Sequence, residues 1–592
     1  MPGVVRLFLR ALGNLAAAAS WPARALVHLL LGRRPPAWVV VRLDGPLDDF
    51  AGRLPRGLLR LGRGPRGRVL SDLREVFERV ARARSCRGLV LRAGAVEASQ
   101  ARLDALSALV ASLRAAGKQV VVYADNLPAR LYAALCGATR LHLPPGGSLD
   151  LTGVAIELTA AGAALAAAGI RPEFIRREAH KTAPELFTAF APTAIQRETA
   201  AALLDEAAAA LTQRLAGRGL TAAEASARID GGPYLGRQAA AAGLIDSAIY
   251  YDELVAELVR DSGHSRLPFF HARLRDPAGR GGPGTSPGRG AAASRRGLSR
   301  GEPSLPSERA LERGRVAPLG LRPLRPPPEV AIVPLRGLIR EGKSARLPSG
   351  RFCGSESIAA ALARARGDRR IRAVVLYVDS RGGSAAASDL IWHEVTRTGR
   401  QKPVVAYVDS VAASGGYFAA CGASRIVAAP LSIVGSIGVF WGRFEISGAL
   451  AKLGIRREVM TRGASGGLAH PLRPMTAPEA AAANRLVEAI YADFLGAVAA
   501  GRAKSVAEIR PLAGGRIYTG ARALAAGLVD ATGGFTDAVR AAASAAGLPE
   551  APPRLRVFAD KPAGGLLSGF AALGDALGPR VFAYYPGPAW GG

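Results

Sequence analysis

Short, unbroken apolar runs recur along the chain: GLVLR (88–92), QVVVYAD (119–125), AVVLYVD (373–379) and PVVAYVD (403–409). Near-continuous apolar character over so few residues belongs to a strand buried on both faces, as in a parallel sheet. Ala-rich stretches of helical length lie between these runs, so the pattern predicts α/β units. Two further runs, 38–43 and 330–334, each lead toward a glycine and open the two halves of the chain.

The whole pattern occurs twice. KQVVVYAD (118–125) lines up with KPVVAYVD (402–409), CGATR (136–140) with CGASR (421–425), GIRPEFIRR (169–177) with GIRREVMTR (454–462), and AAAAGLID (239–246) with ALAAGLVD (523–530). The offset is 284 or 285 throughout, which marks a duplicated unit. The expected organisation is an N-terminal repeat over 35–259, a C-terminal repeat over 329–548 and a C-terminal tail over 549–592. Residues 260–328 hold fourteen Arg against five carboxylates, with abundant Gly, Pro and Ser and no apolar period. That composition predicts a disordered linker, acceptable between domains but not inside one. Within the N-terminal segment 1–34, residues 4–31 are apolar but interrupted by Arg6, Arg10 and Arg24. The longest uncharged stretch there, 11–23, falls short of the roughly 20 residues of a spanning helix. The segment therefore reads as a signal peptide or as an Arg-bearing amphipathic helix lying on a membrane, and membrane association is expected.

Composition narrows the chemistry. The 592 residues carry a net charge of +31, yet only seven of the 78 basic residues are lysine. Arginine stays protonated in proteins, so any step needing a neutral amine has seven candidates. The positive excess is expected to serve solubility and the linker; no zinc-finger or RNA-binding signature accompanies it, and no specific nucleic acid partner is expected. The four cysteines, Cys86, Cys136, Cys353 and Cys421, form no CxxC pair, which argues against a structural zinc site and a dense disulfide framework.

The two repeats differ at a few positions, and the differences are chemical. In the second, the strand 373–379 ends in DSRGGS (379–384), where the first has GAVEAS (94–99). The next strand leads into SVAASGGYF (410–418), where the first has NLPARLY (126–132). Either glycine pair alone would be an ordinary turn. Two of them after consecutive strands supply backbone N–H groups of the kind that hold an oxyanion, beside an exposed hydroxyl at Ser414. A serine nucleophile needs a base. None of the seven histidines sits in a triad context; His393, in a helical stretch soon after DSRGGS, is the best of them. The other choice is a lysine made neutral by burial. Lys181 lies in REAHKTAPELF (177–187), and its counterpart in the second repeat is Gly466. One repeat has the amine without the nucleophile and the other the reverse, as expected of one composite site built from both.

AASGGYF (412–418), VDSRGGS (378–384), VGSIGVF (434–440) and HKTAPELF (180–187) together resemble the long, two-repeat form of bacterial signal peptide peptidase A, over roughly 35–259 and 329–548. The resemblance implies two tandem α/β repeats of the crotonase/Clp-protease type. It implies Ser414 as nucleophile, Lys181 as general base and Ser436 as the residue orienting the lysine. It further implies Gly382 or Gly383, with Gly415, as oxyanion donors, and neither metal nor cofactor. Peptide substrates such as released signal peptides, a homotetramer and a place at the bacterial cell membrane or envelope follow from it as expectations. Arg381 stands where the family usually has proline. Two other readings fit the residues: an acyl-CoA-processing enzyme on the same scaffold, which would have no serine nucleophile, and a non-catalytic basic scaffold.

Overall fold

A computed structural model describes residues 36–50, 68–262, 328–347, 350–549, 553–559 and 580–584, with a few positions between 11 and 22. Most of 1–34 and nearly all of 260–328 lie outside these residues. Among the described residues no helix is long and apolar enough to cross a membrane.

Each apolar run forms a strand. In the first half β1 (Trp38–Asp48), β2 (Gly88–Glu97), β3 (Gln119–Ala124) and β4 (Arg140–Leu143) pair in parallel in that order. β5 (Arg171–Arg176) leaves this sheet. In the second half follow β6 (Glu329–Arg336), β7 (Ile371–Ser380), β8 (Gly382–Ser384), β9 (Val404–Ala413), β10 (Arg425–Ala428), β11 (Ile433–Gly435) and β12 (Phe440–Glu445). The parallel order β6–β7–β9–β10 repeats the order β1–β2–β3–β4. Parallel neighbours need crossover connections, and the Ala-rich helices supply them. Helix α1 (Gln100–Ala115) is capped by Ser99, which accepts from the Arg102 N–H, and buries Leu103, Leu106, Val110 and Leu113 at helical spacing.

The duplication reaches individual hydrogen bonds. Tyr132 donates to the Leu244 carbonyl (2.8 Å) and Tyr417 to that of Leu528 (2.7 Å). Asp246 accepts from the Leu141 N–H and Asp530 from the Ile426 N–H, both at 2.7 Å.

Among the contacts that join the repeats are a strand pair and a buried polar cluster. β5 from the first half pairs antiparallel with β12 from the second over Arg171–Arg176 and Phe440–Glu445. Beside it, buried Arg443 donates to Glu173 at 2.7 Å. The second joint is a buried polar cluster. Arg102 donates to Asp409 (2.9 Å) and Tyr377 (3.1 Å), Tyr377 to Asp49 (2.7 Å), and Ser99 to Asp409 (2.7 Å). Burial, reinforced by Asp409, pushes the Asp49 carboxyl up to about 6.

The segment 549–592, which the sequence sets apart as a tail, contributes two strands. β13 (Arg554–Val557) extends the second sheet alongside β6. β14 (Arg580–Tyr584) lies in a separate sheet, antiparallel to β8 on one side and to β12 on the other.

Candidate active site

Ser414 follows β9 and stands at the N-cap position of α2 (Gly415–Ala420), with φ 55° and ψ −121°. This is an uncommon conformation for a residue with a side chain, of a kind that costs about 1–3 kcal/mol and persists only where its surroundings enforce it. Here the Ser414 N–H donates to the Gly435 carbonyl (2.7 Å), and α2 is anchored behind it by Tyr417. The turn brings the Ser414 hydroxyl within reach of the first repeat.

Lys181 meets it there. Its Nζ lies 2.5 Å from Ser414 Oγ, 3.0 Å from the Ser436 carbonyl and 3.1 Å from Ser436 Oγ. Ser414 and Lys181 are both buried, 0% and 1% exposed. No carboxylate is among the hydrogen-bond partners of Nζ, and desolvation alone lowers the amine well below the ordinary lysine range. A neutral amine has two N–H bonds and one lone pair. The Ser436 carbonyl can only accept, so it fixes one N–H, and Ser436 Oγ offers a place for the second. The lone pair is left for the Ser414 hydroxyl proton.

The lysine is held by both repeats. β5 brings the loop 177–187 across to β12, and the Arg177 N–H donates to the Val439 carbonyl (3.0 Å). Arg176 donates to the Lys181 carbonyl (3.3 Å) and to Glu185 (2.6 Å), and Glu185 accepts from Thr193 (2.6 Å). From the second repeat, Gly515 lies so close that a Cβ there would stand 2.3 Å from the Lys181 nitrogen; its φ is +79°. Ser436 also has a positive φ, 50°, and its N–H donates to the Arg516 carbonyl (2.6 Å).

The glycine pair after β7 sits in β8. Gly382 has its N–H donated to Ser380 Oγ at 3.2 Å. Gly383 has φ 153°, and a Cβ there would be 2.0 Å from the Ile339 carbonyl, so only glycine fits. His393 is exposed on the helix Ala385–Gly399 and is not a partner of Ser414, whose hydroxyl contacts Lys181 and, at 3.5 Å, the Gly438 carbonyl.

The structure thus brings Ser414, Lys181 and Ser436 together. Sequence reasoning missed Gly515, Ser380 and the Arg176–Glu185–Thr193 brace. The pair Gly514–Gly515 has an equivalent in Gly231–Gly232 of the first repeat, so comparison of the two repeats could not single it out. The brace is formed by ordinary polar residues and carries no motif.

An α/β repeat present twice, with a serine from one copy against a lysine from the other, defines the class. The chain belongs to Peptidase family S49, which it matches over residues 112–264 and 396–549, one segment in each repeat and together just over half of the chain. The expected tandem arrangement of two α/β repeats is present, with one S49 region in each. The chain is 25% identical to "Serine protease SPPA, chloroplastic" of Arabidopsis thaliana, over 82% of this chain and 66% of that protein. It is 33% identical to "Protease 4" of Haemophilus influenzae, over 36% of this chain and 34% of that one. Among solved structures it is similar to a membrane-bound stomatin-specific protease, with 14% identity, a TM-score of 0.26, and coverage of 40% of this chain and 100% of that one. The chain covers less than two thirds of the length of the curated relatives named here.

Proposed function

We propose that the chain is a serine endopeptidase in which Ser414 is the nucleophile and Lys181 the general base. The 2.5 Å approach of Lys181 Nζ to Ser414 Oγ, in a buried setting that favours the neutral amine, carries this reading. In the first step Lys181 takes the Ser414 proton, and Oγ attacks the carbonyl carbon of an extended peptide. The N–H groups of Gly415 and of the Gly382–Gly383 pair hold the oxyanion. Gly383 is favoured of the two, because Gly382 already donates to Ser380. Collapse of the tetrahedral intermediate breaks the C–N bond, and the Lys181 ammonium protonates the leaving amine. Water then attacks the acyl-Ser414 ester, again with Lys181 as base, and frees the acid. Ser436 orients the amine.

The substrate class is proposed to be apolar peptides such as released signal peptides, cleaved by a homotetramer at the bacterial cell membrane or envelope. The motif resemblance and the apolar N-terminal segment support this. The test is incubation with an apolar signal-peptide-like substrate. Wild type should cleave it and Ser414→Ala should not, and a fluorophosphonate should label wild type at Ser414. Absence of both activities would favour a scaffold without a serine nucleophile, including an acyl-CoA enzyme.

A further inference from the structure

Each repeat brings one partner to the proposed reaction centre, so the chemistry depends on how the two are set against each other. The strand that leads to Ser414 is irregular just before it. Along the β7–β9 ladder Val378 faces Val408 but Ser380 faces Ala412, so one residue of β7, Asp379, stands against three of β9, 409–411. Such a bulge re-aims the chain that follows it. Ser414 and Gly382 each lie three residues beyond it. In the first repeat β2 and β3 keep an even register to their last pair, Ala93 and Ala124. The bulge is gripped from the first repeat. The Asp409 side chain is fully buried, and its carboxylate accepts from Arg102 (2.9 Å) and Ser99 (2.7 Å), both at the start of α1. The same guanidinium donates to Tyr377 of β7 (3.1 Å) and to the Leu47 carbonyl of β1 (3.3 Å), and its Nε lies 3.4 Å from Asp49. A planar guanidinium with donors on every side can hold several elements at once, which an ammonium on a flexible stem cannot. The counterpart of Asp409 in the first repeat is Asp125, but the counterpart of Arg102 in the second is Ala387. The carboxylate is common to both copies and the arginine is not.

We propose that Arg102 is a positioning residue for the reaction: by clamping Asp409 and Tyr377 from the first repeat, it sets the direction in which β9 delivers Ser414, and β7 the glycine pair, relative to Lys181; this rests on the peptidase reading above. None of its hydrogen-bond partners is Ser414, Lys181 or Ser436, so it acts through the two strands. Without it Asp409 and Asp49 would share a buried joint with no guanidinium between them, and their repulsion would part the surfaces it now closes. Arg336 does not take over the contact to Asp409. It lies against the Phe50 and Tyr377 rings and pairs with Asp48 at 3.5 Å. Reacting groups displaced by about 1 Å can lose about a hundredfold in rate, so a clamp remote from the chemistry carries weight in it.

The test uses wild type, Arg102→Ala, Arg102→Lys, Asp409→Asn and the Arg102→Ala/Asp409→Asn double variant, all as full chains. Measured on each are kcat and KM for an apolar signal-peptide-like substrate, the rate of fluorophosphonate labelling at Ser414, and amide exchange over 409–416. Arg102→Ala should lower kcat and the labelling rate about 10–100-fold, with KM changed less than about twofold, and should weaken protection over 409–416. Arg102→Lys, which retains the charge, should recover part of the rate but not all of it. In the Asp409→Asn background, loss of Arg102 should cost less than about threefold more, because the pair acts as a unit. Arg366→Ala controls for stability alone: it breaks a similarly buried ion pair to Glu394 and should lower the melting temperature with kcat unchanged. Equal kcat, labelling and exchange in wild type and Arg102→Ala would overturn the proposal. Wild-type kcat in Arg102→Lys, or an undiminished effect of Arg102→Ala in the Asp409→Asn background, would overturn it too. Weakened protection in Arg102→Ala with no Ser414 labelling even in wild type would keep the clamp and refute the nucleophile instead.

Discussion

At the scale of single residues the proposed chemistry turns on the state of one amine. Lys181 has its charged form disfavoured by burial, and Ser436 supplies acceptors without supplying a negative charge. Lys181→Arg should therefore be as inactive as Lys181→Ala, because a guanidinium keeps its proton. Ser436→Ala should cost less, about 10–100-fold in kcat, since the main-chain carbonyl of residue 436 still holds the amine. Steady-state kinetics on an apolar peptide check both, and appreciable turnover by the arginine variant would remove Lys181 as base. The sign of the pH dependence follows from the same shift. The amine becomes competent as pH rises through its lowered pKa, so kcat/KM should climb to a plateau reached well below ~10.4, the value of a free lysine. A limb appearing only near that value would show a solvated lysine.

Elements decide whether those residues meet. The loop holding Gly515 is pressed on the Lys181 backbone, and its φ of +79° is one that side chains rarely adopt. Gly515→Ala should displace the lysine, lowering kcat by at least about tenfold and reducing the melting temperature; unchanged activity would show that the loop does not position the base. Much of the element plan is legible in the sequence. Strands such as GLVLR and PVVAYVD announce themselves because both faces are buried, and the duplicated register exposes the site by the positions where the repeats differ. Ser414 and Lys181 were readable in this way, whereas Ser436 was implied only by the motif resemblance. The β5–β12 pairing was not, because its partners are 270 residues apart at Glu173 and Arg443 and follow no local pattern. β14 was not either, because its role comes from the two edges it fills rather than from its own period.

At the scale of the whole molecule the repeats are held by β5–β12 and by the cluster of Asp49, Asp409, Arg102 and Tyr377. Asp49 has a carboxyl pushed up to about 6 against 3.8 for a free one, so the folded state binds its proton more tightly than the unfolded chain. The group therefore detracts from stability as pH rises from about 4 to about 6, and the penalty persists above that. The melting temperature of Asp49→Asn relative to wild type should become more favourable between pH 4.5 and pH 8. A relative change of the opposite sign would show that the Arg102 ion pair outweighs burial.

The central claim is that the two repeats of one chain build one site. Mixing Ser414→Ala with Lys181→Ala protein under conditions that exchange subunits tests it most directly. Each protomer then lacks one of the two groups, and with Lys181 and Ser414 supplied by the same chain the mixture should remain inactive. If a neighbouring chain supplied the partner, random equal mixing would restore up to about a quarter of wild-type activity, and recovery at that level would contradict the intrachain site.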